Sequence, residues 1–438
     1  MNFVRVIAAL AAVSPLFGQY GGPAILARGQ SPGPMVATQI DFRPYVSVSG
    51  MYEAGLNGVS VDANGAPVND ASYGVYVSFG VSGMHSWKHT KIGVNYSSGF
   101  SLYQKSFYSG INSQGFQMSI SHQLNRHASL SLSTDAVMYG SNHATPTLPP
   151  TVEFDPATTY TPTNDFFDNR TISVSTQASV TIQKSTRISY SLGGDEFITR
   201  RRSSSLYGTS GLGAHADLMY RLSRRSTFGG VFQYIHYSFT GIYGSTDMFT
   251  AAAAYSHSFS PTVEMSATAG VSKYENVFVE TVPIDPAIAA VIGISSAQRV
   301  SYVKHYMPNF SFRLSKVVPR GTVFVYVSNS LNPGNGLFLT STSFNAGVGY
   351  NYTGFRLWAV SAGANYNKSI SRGNVYGQYG SYSANLSASR QIVKMTHGVL
   401  SFFLRRYDSG DFQNYNKWSY GVNLGVSFSP GDIPVRLW

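Results

Sequence analysis

A two-residue rhythm of large apolar and small polar side chains, returning in stretch after stretch, constrains this chain more than any other feature. In the closing stretch, Lys417 to Phe428, Tyr420, Val422, Leu424, Val426 and Phe428 fall at one parity, with Ser419, Gly421, Asn423, Gly425 and Ser427 at the other. Successive strand side chains point to opposite faces, so this is a strand with one oily face and one small, polar face. The same rhythm sets Tyr73, Val75, Val77, Phe79 and Val81 against Gly74, Tyr76, Ser78, Gly80 and Ser82. It sets Ile172, Val174, Ala178, Val180 and Ile182 against Ser173, Ser175, Gln177, Ser179 and Thr181. So many two-faced strands imply hydrocarbon on one side and water on the other. The expected fold is all-β: a transmembrane antiparallel up-and-down β-barrel.

Composition agrees. Only 12% of the 438 residues are charged, with 30 Tyr, 27 Phe and 43 Gly, whereas soluble domains carry about 25% charge. Mean hydropathy is nevertheless −0.07, and there is no apolar run of the roughly 18 residues that a spanning helix needs. With no cysteine, disulfides, thiol catalysis and a lipidated cysteine are excluded. The net charge of +11 comes without a basic helix, which argues against nucleic acid as a partner.

The termini frame the barrel. A short basic start and an apolar core from Val6 to Phe17, too short to span a bilayer, predict an export signal over 1–20. A Gly/Pro-rich lead-in follows over 21–38, then the barrel over 39–428 and a tail over 429–438.

Connections alternate in length. Short turns are expected at His85–Lys88, Asn125–His127, Lys184–Thr186, Ser223–Ser226, Ser260–Thr262, Lys316–Arg320, Asn351–Gly354 and Gln391–Lys394. Longer links are expected at Glu53–Ala71, Ser98–Ile111, Ser141–Asn169, Glu196–Tyr207, Thr240–Asp247, Glu275–Gln298, Ser330–Gly336, Lys368–Asn374 and Asp408–Asn416. These connections imply about 18 strands (16–18), an even number as single-chain bacterial barrels have, with short periplasmic turns and longer extracellular loops. Most acidic residues fall in or beside the long links, while the short turns carry Arg126, Lys184, Arg224, Arg225, Lys316, Arg320 and Lys394. Trp87, Tyr220, Phe259, Tyr274, Trp358, Tyr366 and Trp418, near strand ends, are expected to form aromatic girdles.

A barrel of this size has room for a water-filled lumen. Alternation assigns Lys91, Asn95, Gln117, Asp135, Arg187, His215, Asp217, Arg313, Asn345, Asn365, Asn385 and Asn423 to the inner wall. A net positive lumen would favour anions. Within one long link, Asp285, Pro286, Ile288, Val291, Ile292 and Gly293 spell a short helix: Asp caps it, Pro opens it and Gly stops it. Its apolar face is a candidate constriction, and the Pro-rich link Ser141–Asn169 is a second candidate occluder. Asp62-Ala-Asn64-Gly65 lacks the remaining ligands of a calcium loop. No HExxH motif occurs, and the one GxSxG match, Gly29 to Gly33, lies in the Gly/Pro-rich lead-in, so no enzyme activity, cofactor or metal is expected.

Taken together, the leader, the alternating strands, the short and long connections and the aromatic-ended final strand resemble Gram-negative outer-membrane β-barrel proteins of the porin type, over about Gln39 to Phe428. The resemblance implies residence in the cell outer membrane among lipid and lipopolysaccharide. It also implies insertion by the barrel-assembly machinery through the C-terminal strand, and diffusion of small hydrophilic solutes. Barrels of this size also serve as polysaccharide export conduits, and a plugged structural or adhesive barrel is a third reading. One departure is the tail Ser429–Trp438, since typical members end at the aromatic of the last strand.

Overall fold

The computed structural model describes residues 40–56, 70–104, 110–139, 171–201, 206–332, 339–352, 358–372, 377–393, 395–409, 418–430 and 433–435. The leader, the lead-in, the Asp62–Gly65 segment and the link Ser141–Asn169 lie outside them.

The strands are β1 (Ile40–Leu56), β2 (Asp70–Ser86), β3 (Thr90–Tyr103), β4 (Gly110–Gln123), β5 (Ala128–Tyr139), β6 (Thr171–Gln183), β7 (Ile188–Arg201), β8 (Gly208–Arg221) and β9 (Ser226–Thr240). They continue as β10 (Gly244–Ser260), β11 (Val263–Pro283), β12 (Ser296–Val318), β13 (Gly321–Asn332), β14 (Ser341–Tyr352), β15 (Trp358–Ser371), β16 (Gln378–Val393), β17 (Thr396–Ser409) and β18 (Trp418–Phe428). Each pairs antiparallel with the next, and β18 returns to β1, from Val46 opposite Phe428 to Ala54 opposite Tyr420. The sheet is therefore a closed 18-stranded up-and-down barrel. Closure pairs the backbone groups that two open edges would leave bare. A short β19 (Ile433–Val435), within the tail, pairs with the foot of β1 at Ile40–Phe42.

Small polar side chains shape the short turns. Asn125 Oδ1 accepts from His127 N at 2.7 Å, and Ser223 Oγ accepts from Arg225 N and Ser226 N. Such side chains stand in for the missing backbone partner at a reversal.

Strands run into most of the expected long links, and in two they leave little or no loop. Thr240–Asp247 contracts to a tight turn over 241–243, with Gly241 at φ 89°. Glu275–Gln298 is mostly strand, because β11 and β12 stay paired until Pro283 meets Ser296. Pairing outlasts alternation here because each parity mixes apolar and charged residues, with Tyr274, Phe278 and Glu280 on one and Glu275, Val277 and Val279 on the other.

Register assigns the two faces. Val75, Leu102, Ile172, Leu192, Leu212, Leu386, Leu424 and Val426 are exposed and share the outer face, forming a belt of the kind hydrocarbon requires. On the other face side chains reach past a neighbouring strand, which only a concave surface permits. Tyr103 on β3 donates to Glu53 on β1 at 2.7 Å, and Tyr326 on β13 donates to Asn365 on β15 at 3.0 Å.

The sheet parts above Pro308. β12 pairs with β13 only from Phe310 opposite Asn329 downward, while β11 accompanies β12 to its upper end. Proline has no N–H for the ladder and belongs on a strand edge. Asn329 Nδ2 donates to Pro308 O at 2.7 Å, marking the fork. Beyond it, the β11–β12 hairpin continues alone, and β13 continues with β14.

Candidate functional site

On the inner face of the described strands, glycine and amide residues make room for flat aromatic rings. At Gly347 and Gly349 on β14, an added Cβ would collide with Tyr326 and Phe324 on β13. Both rings therefore lie across the glycines of the next strand, and the Arg313 guanidinium covers Phe324 at 5.0 Å. Gly99 under Tyr76, Gly211 under Phe197 and Gly421 under Phe403 repeat the device. Gly349→Val is expected to lift Phe324 off the wall and cost about 1–3 kcal/mol in overpacking, whereas Gly230→Ala, with nothing near its Cβ, should be neutral. Urea titration of the folded barrel measures both.

Along this wall the register puts Lys91, Asn95, Gln117, Asp135, His215, Asp217, Arg313, Asn345, Asn365, Asn385 and Asn423 at inward parity. Arg187 lies in the short turn before β7, exposed at the mouth. Asn95, Gln117 and Asp135 stand side by side across β3 to β5, with Gln117 hydrogen-bonded to Asp135. On the same face His215 stands two residues from Asp217 on β8 and diagonally across from Asp195 on β7. Across the barrel the wall is uncharged: Asn345 faces Asn367 on β15, and Asn385 covers Gly363. Among the described residues no group of acidic or histidine side chains is arranged to hold a metal ion.

Near the long-link end the wall turns apolar. Ile235, Tyr237, Phe239, Met248, Tyr274, Phe278, Met307, Leu331 and Leu339 pack into one buried cluster. Tyr274, expected in a girdle, is instead inward and 2% exposed, since it pairs with Met248 and His305 on the inner face. Above the cluster, Thr340, at the start of β14 and 0% exposed, reaches three strands. It meets Tyr237 Oη at 3.0 Å and Thr246 Oγ1 at 3.1 Å, and donates to Asn276 Oδ1 at 3.3 Å. Thr246 donates to the same oxygen at 2.7 Å, and Asn276 Nδ2 donates to Arg372 O, just past β15, at 3.0 Å. The upper ends of β14 and β15, freed by the fork at Pro308, thus bend inward onto β9, β10 and β11. Sequence reading missed this latch: its bonded partners stand up to 103 positions apart, and nothing local marks Leu339-Thr340.

The helix α1 (Pro286–Ile292) forms as its residues indicate: Asp285 accepts from Ala287 N at 2.8 Å, and Gly293 closes it at φ 70°. None of its residues is buried, and Val291 is 86% exposed. It caps the end of the β11–β12 hairpin, with Ile288 and Ile292 also exposed. Among the described residues no helix is long and apolar enough to cross a membrane, which says nothing of a barrel.

No family model matches the chain, and no curated protein matches it. Among solved structures it is similar to Pseudomonas aeruginosa OccK2 (OpdF) in complex with glucuronate, at 9% identity over 91% of this chain and 100% of that one, with a TM-score of 0.46. It is also similar to a BenF-like porin from Pseudomonas fluorescens Pf-5, at 9% identity over 90% of this chain and 99% of that one, with a TM-score of 0.44. A third is the outer membrane protein OpdK from Pseudomonas aeruginosa, at 10% identity over 90% and 99%, with a TM-score of 0.41.

Proposed function

We propose that this chain is a porin-like channel of the cell outer membrane that lets small hydrophilic solutes diffuse through its lumen. One observation carries the reading: a closed cylinder whose outer face is an exposed apolar belt and whose inner face is hydroxyl, amide and charge. Such a surface satisfies hydrocarbon outside and water inside at once.

Charge on the inner strands leans neither way. Lys91, Arg201, Arg221, Arg313 and Arg405 are matched by Glu53, Asp135, Asp195, Asp217 and Glu264. At the short-turn mouth Lys91 and Arg221 at inward positions, with Arg187 in the adjoining turn, outnumber the inward Glu264 and supply a weak anion preference.

The test is planar-bilayer recording of the purified chain. Steady ion-conducting steps are expected, with a reversal potential shifted slightly toward anions and the shift lost in Lys91→Gln/Arg187→Gln/Arg221→Gln. Complete silence would leave a plugged surface barrel. The inward latch favours one second reading, a gated conduit for polysaccharide, and that reading gains if current appears only after the 333–338 link is cut back.

A further inference from the structure

The two rims of the barrel are chemically unlike. At the long-link end several cations meet carboxylates: Lys273 pairs with Glu275 at 2.6 Å, Lys304 with the same carboxylate at 3.8 Å, and Arg299 with Glu280, while Arg200 and Arg406 are exposed, Arg406 over the Trp418 ring. At the short-turn end, Lys88, Arg126, Arg224, Arg225, Arg320 and Arg390 are exposed, and among the described residues none of them makes an ion pair. Among the residues whose side chains are described, the acid of this end is Glu264, which stands at an inward register position and lines a small cavity with Arg225.

Directly beside those cations runs an exposed apolar ring that includes Trp87, Leu124, Leu222, Phe259, Trp358 and Ile392. The two rings are joined through side chains. Arg390 lies over the Trp358 ring at 5.3 Å, and Arg225 Nη1 donates to Phe259 O at 3.4 Å. Tryptophan and large apolar groups seek the headgroup boundary of a bilayer. Unpaired cations just beyond them sit at the depth of lipid phosphates, each worth about 1 kcal/mol of attraction to an anionic surface.

We propose that the short-turn rim is a docking surface for anionic phospholipid headgroups, and that it gathers such lipids around the barrel in one leaflet. The inference rests on the membrane-spanning reading above. Charge complementarity selects this occupant: the rim offers many separated cations and a continuous apolar footing, which suits a sheet of lipid better than one compact anion. At the opposite rim Glu275 and Glu280 neutralise part of the charge, leaving Arg200 and Arg406 exposed, so the field there is weaker.

The chain has 4 Trp. With Trp418→Phe and Trp438→Phe, only Trp87 and Trp358 remain, both on the short-turn rim. The protein is placed in phosphatidylcholine vesicles containing a minor fraction of phosphatidylglycerol, with brominated acyl chains on one lipid or the other. Brominated phosphatidylglycerol is expected to quench severalfold more than random mixing allows. The excess should fall with added salt and disappear in Lys88→Gln/Arg126→Gln/Arg320→Gln/Arg390→Gln. Quenching that simply follows mole fraction would overturn the proposal while leaving the membrane reading intact, whereas no quenching by either lipid would overturn the membrane reading itself. Equal enrichment around a variant that keeps only Trp418 would overturn the assignment to this rim. Displacement of phosphatidylglycerol by added lipopolysaccharide would do so as well.

Discussion

Leu424→Arg is expected to abolish or severely slow insertion of the barrel into lipid vesicles, while Asn423→Arg, one residue away, inserts almost normally. Leu424 lies mid-strand in β18, 66% exposed on the outer face, opposite Leu400 on β17 and Gly50 on β1. An arginine there would sit in the apolar belt, at a cost of about 2–4 kcal/mol near the midplane. Asn423 pairs with Ser401 and Met51 on the inner face, away from the apolar belt. Neighbouring strand positions share backbone, depth and strand propensity, so only the medium each faces separates the two variants. Folding yield in vesicles, read by the gel-mobility shift of the folded barrel, compares them. Equal behaviour, or a native chain that stays monomeric in detergent-free buffer, would show that no hydrocarbon surrounds this sheet.

The period of two made most of the architecture legible. It located the strands, and the short turns located themselves because Asn125, Ser185 and Ser223 are local turn formers acting within a few residues. Where each parity mixes apolar and charged residues the signal vanishes, so Glu275–Gln298 read as loop although β11 and β12 stay paired as far as Pro283 and Ser296. Where the polar and apolar parities swap along one strand the signal misleads. On β9, Phe228 and Phe232 are apolar on the outside, but higher up His236, Ser238 and Thr240 take that parity and Ile235, Tyr237 and Phe239 turn inward. Tyr274 read as a girdle residue for the same reason: nothing nearby in sequence distinguishes a ring turned to lipid from one buried under a bent strand. The helix at Pro286 was legible because caps are local, but where a short helix packs depends on partners far along the chain. Pro308 was equally visible as a residue, yet its effect, releasing β13 from β12, depends on which strand lies beside it.

The latch yields the second large effect. Thr340→Val removes a buried hydroxyl while keeping its volume. Tyr237 then loses a partner, and Asn276 Oδ1 keeps only Thr246. Losing a buried hydrogen bond costs about 1–3 kcal/mol, and each 1.4 kcal/mol is a tenfold change in an equilibrium. Because the ends of β14 and β15 are held over β9 to β11 by this network, weakening it favours a state in which they stand away from the wall. Single-channel recordings of Thr340→Val are expected to show a larger conductance level occupied roughly tenfold longer than in the native chain, and Asn276→Ala should add to it by also freeing Arg372 O. The barrel itself should persist, since Met248, Phe278 and Leu339 still pack beneath and the ladders from β1 through β18 are untouched. If both variants conduct as the native chain does, the bent ends do not bound the narrow part of the passage. The wall at Phe324, Tyr326 and Arg313 would then be the place to look for it.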